Sequence, residues 1–274
     1  MGIPGAGKTR LAMTFAARGY ERLNRDERGG SLAALTEHLD ERLAAGARHV
    51  VLDNTWLTRA ARSRAVEVAS RHGVAVRCVW LDTPLAQAQV NLVARLLDAG
   101  PLRMPEDLRR GGRAPGVLGP GSQMRAAREL EPAVAEEGFA AVERTPFTRG
   151  PELANGRGVL VAAAALERAG WRAALAGGER GAPHLVFDWS PDRERLAGRV
   201  AEVAAAVGTP VEGAHCPHGG GPPRCWCRPP LPGLPLAFAR AHGIDPARCL
   251  LVGAGPAHRA LARALGARYV ECAP

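Results

Sequence analysis

Gly2-Ile3-Pro4-Gly5-Ala6-Gly7-Lys8-Thr9 fits the pattern G-x-x-x-x-G-K-[ST], and its reading decides the fold of the first half of the chain. A loop of this kind turns successive backbone N–H groups inward at a helix N-terminus and cradles phosphate there. The motif assigns Lys8 to the β- and γ-phosphates of a nucleotide and the Thr9 hydroxyl to a magnesium ion. Composition sharpens the reading. Of 36 basic side chains in 274 residues, Lys8 is the single lysine, and the other 35 are arginine. A drift towards arginine explains the excess. It stops where a planar fork cannot replace a compact ammonium on a thin stem.

Outward from the loop, helix-like and strand-like stretches alternate. Helices are expected at 8–18, 31–45, 57–72 and 84–97, and strands at 49–52 and 74–81. Strands spaced by helices of this length imply an α/β fold with a parallel sheet. A phosphate loop normally leaves a buried strand, yet only Met1 precedes Gly2, so the expectation is a start upstream of Met1 or a sheet lacking its central strand. Residues 100–121 are rich in glycine, proline and arginine and read as a mobile loop. A helix over 124–137 and a strand near 139–142 close this unit.

The composition turns loop-like around 150–158, which places a boundary between domains 1–150 and 151–274. Beyond it are expected an alanine-rich helix (159–169), a strand (184–187), a helix (192–207), a Cys/Pro/Gly segment (215–233), and then helix 234–242, strand 249–252, helix 257–265 and strand 269–270. This half also reads as α/β. The best apolar run, Gly158 to Leu166, is stopped by Glu167, and the start carries no signal-peptide pattern. The expectation is a cytoplasmic protein without a membrane partner, in which six cysteines serve as metal ligands or packing groups. The net charge of +9 permits phosphate-bearing partners without identifying one.

Two acidic residues sit where chemistry is expected. Asp26, in Tyr20-Glu-Arg-Leu-Asn-Arg-Asp26-Glu, falls at the end of a strand facing the loop, where a carboxylate can accept a proton from an attacking hydroxyl. Asp53, in Val50-Val-Leu-Asp53-Asn-Thr, suits a magnesium-water or substrate contact. The plainer alternatives are a helix cap for Asp26 and a turn for Asp53. Three of the four asparagines, Asn24, Asn54 and Asn91, fall beside these elements.

The motifs GIPGAGKT, RLNRDE, VVLDNT, the arginine-rich stretch Arg59–Arg71 and TPLAQAQVNLVAR resemble the kinase half of the bifunctional polynucleotide kinase/phosphatases over about residues 1–147. The resemblance implies ATP-dependent phosphorylation of a polynucleotide 5′-hydroxyl end. It makes Asp26 the general base, Arg95 the lid arginine on the ATP phosphates, and Arg25 a candidate for the acceptor strand's phosphate. A solvated helix face explains Arg95 equally well. Trp56 is the aromatic residue nearest the site for stacking on a base.

In the second half, Cys216-Pro-His218 and Cys225-Trp-Cys227 form two tight pairs on a Gly/Pro-rich loop, a set of soft ligands suited to one tetrahedral, structural zinc. His215 competes with His218 for the fourth place. Cys78, Cys249 and Cys272 sit in apolar stretches and read as packing. The loop resembles that of haloacid-dehalogenase-type phosphatases acting on histidinol phosphate and heptose bisphosphate. There CPH and CxC precede R-K-P-x-P-G and then G-D-S-x-x-D. Here Pro229 stands at the lysine position, and Ala254 and His258 stand at the two acidic ones. No D-x-D-G-T motif occurs in residues 140–274; Asp188 and Asp192 lack its context, and Ser190 is a weak match to the phosphate-binding hydroxyl. The expectation is a phosphatase-like domain without its phosphatase chemistry.

The sequence therefore points to an ATP- and magnesium-dependent kinase for polynucleotide 5′ ends joined to a zinc-stabilised, phosphatase-like module. A small-molecule kinase with the same loop and base, a nucleotide-binding regulatory or scaffold protein, and a still-active 3′-phosphatase remain as alternatives.

Overall fold

The computed structural model describes residues 1–102, 117–150, 154–190 and 192–273. Contacts divide the chain into two units, the first built chiefly from Met1–Asn91 and Ser122–Thr148 and the second chiefly from Arg149–Pro274. In the first, α1 (Lys8–Ala16) follows the phosphate loop. Then come β1 (Glu21–Asn24), α2 (Arg25–Arg28), α3 (Leu32–Ala44), β2 (Val50–Asp53), α4 (Arg59–Arg71), β3 (Arg77–Asp82), α5 (Leu85–Asp98), α6 (Pro120–Glu129) and β4 (Ala141–Pro146).

Alternation along β1 and β2 builds a two-faced layer. Leu23 and Leu52 meet across the ladder and pack with Leu35, Leu39 and Leu43 of α3 and Ala65 and Val68 of α4. Arg22, Asn24 and Asp53 project from the opposite face. Side-chain caps open the covering helices: Ser31 accepts from Ala34 N–H, and Thr58 from Ala61 N–H. Arg62 is buried and ion-paired with Glu137 at 2.7 Å, and it also donates to the carbonyls of Trp56, Leu57 and Glu131. One guanidinium thus fixes the chain leaving β2, and its hydrogen bonds to Glu137 hold that carboxyl below the usual range.

The sheet of this unit is two separate parallel pairs, β1–β2 and β3–β4. Between β2 and β3 lies a cavity of about 280 Å³, lined by Val50, Leu52, Ala65, Val76 and Val79 among others. Met1 sits at its edge. Its amine donates to Val79 O, its carbonyl accepts from Leu81 N–H at 3.0 Å, and Gly2 N–H reaches Thr55 O at 3.1 Å. Met1 therefore already pairs as a strand residue with β3, while the chain just beyond it joins the end of β2.

The second unit carries a five-stranded parallel sheet in the order β7–β6–β5–β8–β9, from β5 (Val159–Ala162), β6 (His184–Asp188), β7 (Val211–His215), β8 (Leu250–Gly253) and β9 (Arg268–Glu271). Its helices are α7 (Trp171–Leu175), α8 (Arg193–Val207), α9 (Gly233–Ala241) and α10 (Pro256–Leu265). Along β5, Val159 and Val161 point one way and Leu160 and Ala162 the other, and none exceeds 1% exposure. A central strand covered on both faces reads as a continuous apolar run.

That coverage corrects the helix expected over 159–169. Its first four residues are β5, and Ala163–Glu167 is a short 3-10 turn, because burial between neighbouring strands outweighs alanine's helix preference. The helix expected over 124–137 instead spans Pro120–Glu129. Proline is well placed in a first helical turn, and Pro132 stops continuation. β7 and α7 were not anticipated. Of the loop expected over 100–121, residues 103–116 lie outside the described residues, as do 151–153 of the expected boundary. No described helix is long and apolar enough to cross a membrane.

The cavity beside Met1 has a measurable consequence. Appending Val-Ile-Val-Leu before Met1 should raise Tm by roughly 5 °C or more over a Gly-Ser extension of equal length. Equal melting of the two would show that the cavity does not accept a strand.

Candidate phosphate-binding site and metal cluster

The loop Gly2–Thr9 is held by its carbonyls. Lys8 Nζ donates to Ile3 O at 2.8 Å, Gln123 Nε2 to Pro4 O at 2.8 Å, Asn91 Nδ2 to Gly5 O at 2.9 Å and Thr83 Oγ1 to Ala6 O at 3.2 Å. With these acceptors engaged, the loop has amide donors to offer an anion at the start of α1. Gly5 is required twice over: its φ is +85°, and a Cβ there would fall 2.2 Å from Ala88 O. Gly7, the residue before α1, is also left-handed at φ 93°. Gly2, Pro4, Gly5, Ala6, Gly7, Lys8 and Thr9 thus form one continuous loop-to-helix turn, as the motif requires.

Asp53 ends β2 with only 4% exposure. Its Oδ2 accepts from Arg22 Nε at 2.9 Å, Arg22 Nη2 at 2.7 Å and Asn24 Nδ2 at 2.9 Å, while its Oδ1 lies 3.5 Å from the Thr9 hydroxyl. Burial opposes the charge on Arg22, but its bonds to Glu27 and Asp53 outweigh that and raise its pKa. Thr9 and Asp53 together present hard oxygen donors beside the loop, the type magnesium takes.

The structure shifts Asp26 slightly. β1 ends at Asn24, and Asp26 lies on the short helix α2, half exposed and paired with Arg25 at 3.1 Å. The capping role falls to Asn24, whose side chain accepts from Glu27 N–H. Glu27 in turn takes Arg22 Nη1 at 2.7 Å, so a chain of contacts runs from α2 through Arg22 to Asp53. Arg95 is exposed on α5, four residues past Asn91 and on the same side of that helix. Trp56 is buried in the core with φ 49°, so it is not a stacking surface.

Sequence reasoning missed Arg22, Thr83 and Gln123. The clustered asparagines did signal Asn24 and Asn91, whereas Asn54 only caps its own turn, accepting from Thr55.

In the second unit, Cys216, His218, Cys225 and Cys227 gather so that their ligand atoms all lie within 4.8 Å of one another. Donors around a tetrahedral zinc at ~2.3 Å stand ~3.8 Å apart, so the set is near that size. Cys216 Sγ lies 3.4 Å and Cys227 Sγ 3.3 Å from His218 Nδ1. Hydrogen bonding with Cys227 draws the Cys225 thiol down to about 5 and pushes Cys227 up. His215 is not part of the cluster among the described residues. All six cysteines are unbridged, and Cys78, Cys249 and Cys272 are buried packing groups.

Residues 1–107 match the family model described as an AAA domain. The chain is also 26% identical over 151 residues to a bifunctional polynucleotide phosphatase/kinase of Schizosaccharomyces pombe (strain 972 / ATCC 24843), an alignment covering 54% of this chain. The match spans about a third of that protein's length, 32%.

Substituting Gly5→Ala should unseat the loop from Ala88 at a cost of about 1–3 kcal/mol and remove nucleotide binding. Calorimetry with a non-hydrolysable ATP analogue checks this, and undiminished binding would contradict the packing described. The geometry of the loop and the family match agree that the first part of the chain carries a phosphate-binding-loop domain.

Proposed function

We propose that the first unit is an ATP-dependent kinase acting on polynucleotide 5′-hydroxyl ends. The observation that carries this is the meeting, at one carboxyl edge of β1 and β2, of the phosphate loop, the buried Asp53 and the helix bearing Asp26. The likeness to a polynucleotide phosphatase/kinase supports the choice of acceptor.

On this reading the loop amides and Lys8 hold the ATP phosphates, and Asp26, exposed on α2, takes the proton from the attacking hydroxyl. Arg25 receives the acceptor strand's phosphate, and Arg95 clamps the transferring phosphate with paired donors. Thr9 and Asp53 would hold magnesium, which supplies charge neutralisation to the phosphates.

We read the second unit as a zinc-stabilised, phosphatase-like module that has lost its catalysis. The central strand β5 runs into Ala162, Ala163, Ala164 and Ala165, so no carboxylate stands at its carboxyl end. At the end of β8, His258 is half-buried against Phe187 and accepts from Ala254 N–H, and burial lowers its pKa. Neither Ala254 nor His258 supplies a carboxylate at that edge.

Incubation with labelled ATP and 5′-hydroxyl DNA or RNA should give transfer that falls at least 100-fold in Asp26→Ala. Transfer only to small alcohols, or tight ATP binding without transfer, would defeat the polynucleotide reading. Purified protein should carry zinc, and Cys225→Ser should lose it and melt lower; zinc-free native protein would exclude the metal site. A 3′-phosphate end should remain uncleaved, and cleavage abolished at Asp188 would overturn the lapsed phosphatase.

A further inference from the structure

Arg22 is the charged group in closest engagement with Asp53. Two of its nitrogens converge on a single oxygen, Oδ2, which Asn24 also reaches, so that oxygen is saturated with donors. Its third nitrogen is pinned by Glu27 at 2.7 Å. The side chain keeps only 14% of its exposure, and swinging away would break bonds on both sides. What remains for a metal is Oδ1, beside the Thr9 hydroxyl. A cation bound there would stand a few ångströms from a guanidinium fixed in place.

Resting on the reading of the loop as a nucleotide site, we propose that Arg22 is the resident counter-charge of Asp53, which keeps divalent cations out of the nucleotide-free site and makes the cation enter with the nucleotide's phosphates. Next to Oδ1 the charges of Asp53 and Arg22 nearly cancel, and the Glu27 carboxylate lies on the far side of the guanidinium in solvent, so a cation alone meets little attraction. The phosphates of a bound nucleotide bring several negative charges to the same place, and the balance then favours the metal. By linkage, the metal strengthens nucleotide binding by the same factor. Arg22 is a positioning residue in this scheme, acting through Asp53.

The sign of the effect separates this role from a merely structural one. If Arg22 only held β1 to β2, its removal would loosen Asp53 and weaken metal binding. As a counter-charge, its removal strengthens it. The test is Mn2+ binding by calorimetry to the full chain, with and without a non-hydrolysable ATP analogue. For Arg22→Gln, affinity for Mn2+ alone should rise about tenfold, and the gain on adding the analogue should shrink accordingly. Arg22→Lys, which keeps the charge, should stay close to the parent. Asp53→Asn should abolish the gain, which places it at this site and not at the cysteine cluster. Should Arg22→Gln fail to fold, as read by its melting curve, Arg22→Met keeps the stem's packing and carries the same expectation.

Unchanged or weaker Mn2+ binding without Arg22's charge overturns the proposal, as does Arg22→Lys behaving like Arg22→Gln. If the parent binds no nucleotide analogue, the nucleotide reading fails and the proposal with it. If the parent binds the analogue while the charge removal has no effect, only the proposal fails.

Discussion

A buried carboxylate is tolerated only when donors replace the water it gives up, and the first unit is organised around meeting that demand at Asp53. Three N–H groups from β1 converge on Oδ2, so the strand that carries Asp53 and the strand that carries its donors are held in one register. The remaining oxygen turns to Thr9 at the head of α1, which ties the sheet edge to the phosphate loop. The loop's own carbonyls are tied down by Thr83, Asn91 and Gln123, side chains far away in sequence. Site and fold are therefore one set of hydrogen bonds.

The second unit is built on the opposite economy. Its central strands β5 and β8 are apolar on both faces and need no polar partner to stay buried. Polar contacts gather at the carboxyl edge, where Asp188 accepts from Trp189 N–H, and in the cysteine loop. The Trp189 indole donates to His218 O, and Arg228 stacks over its ring at 4.9 Å. A metal that fixes His218 also fixes the side chain that follows β6.

Much of this was readable because chemistry restricts few residues so tightly. The loop glycines, Lys8 and the two Cys pairs have near-unique conformational or ligand roles, and they stand out in any composition. Arg22 does not. Among 35 arginines its type carries no information, and only the register pairing of Asn24 with Asp53 shows that it projects towards the carboxylate. Gln123 is hidden differently, since a fully buried glutamine reaching a carbonyl 119 residues away leaves no local pattern. The alanine run after Gly158 misled because alanine's preference is local while its environment is set by strands that arrive later in the chain. Asp26 was placed on a strand end because a four-residue helix has no periodicity to detect.

The divided sheet of the first unit has a mechanical meaning. A lone pair of strands has little stability of its own, so cohesion passes to α1, α3 and α4 packed around β1 and β2, and to the bonds Met1 and Gly2 make with Val79 and Leu81 of β3 and with Thr55 just past β2. A ligand held by the phosphate loop would stiffen the seam between β2 and β3 as well as fill the site.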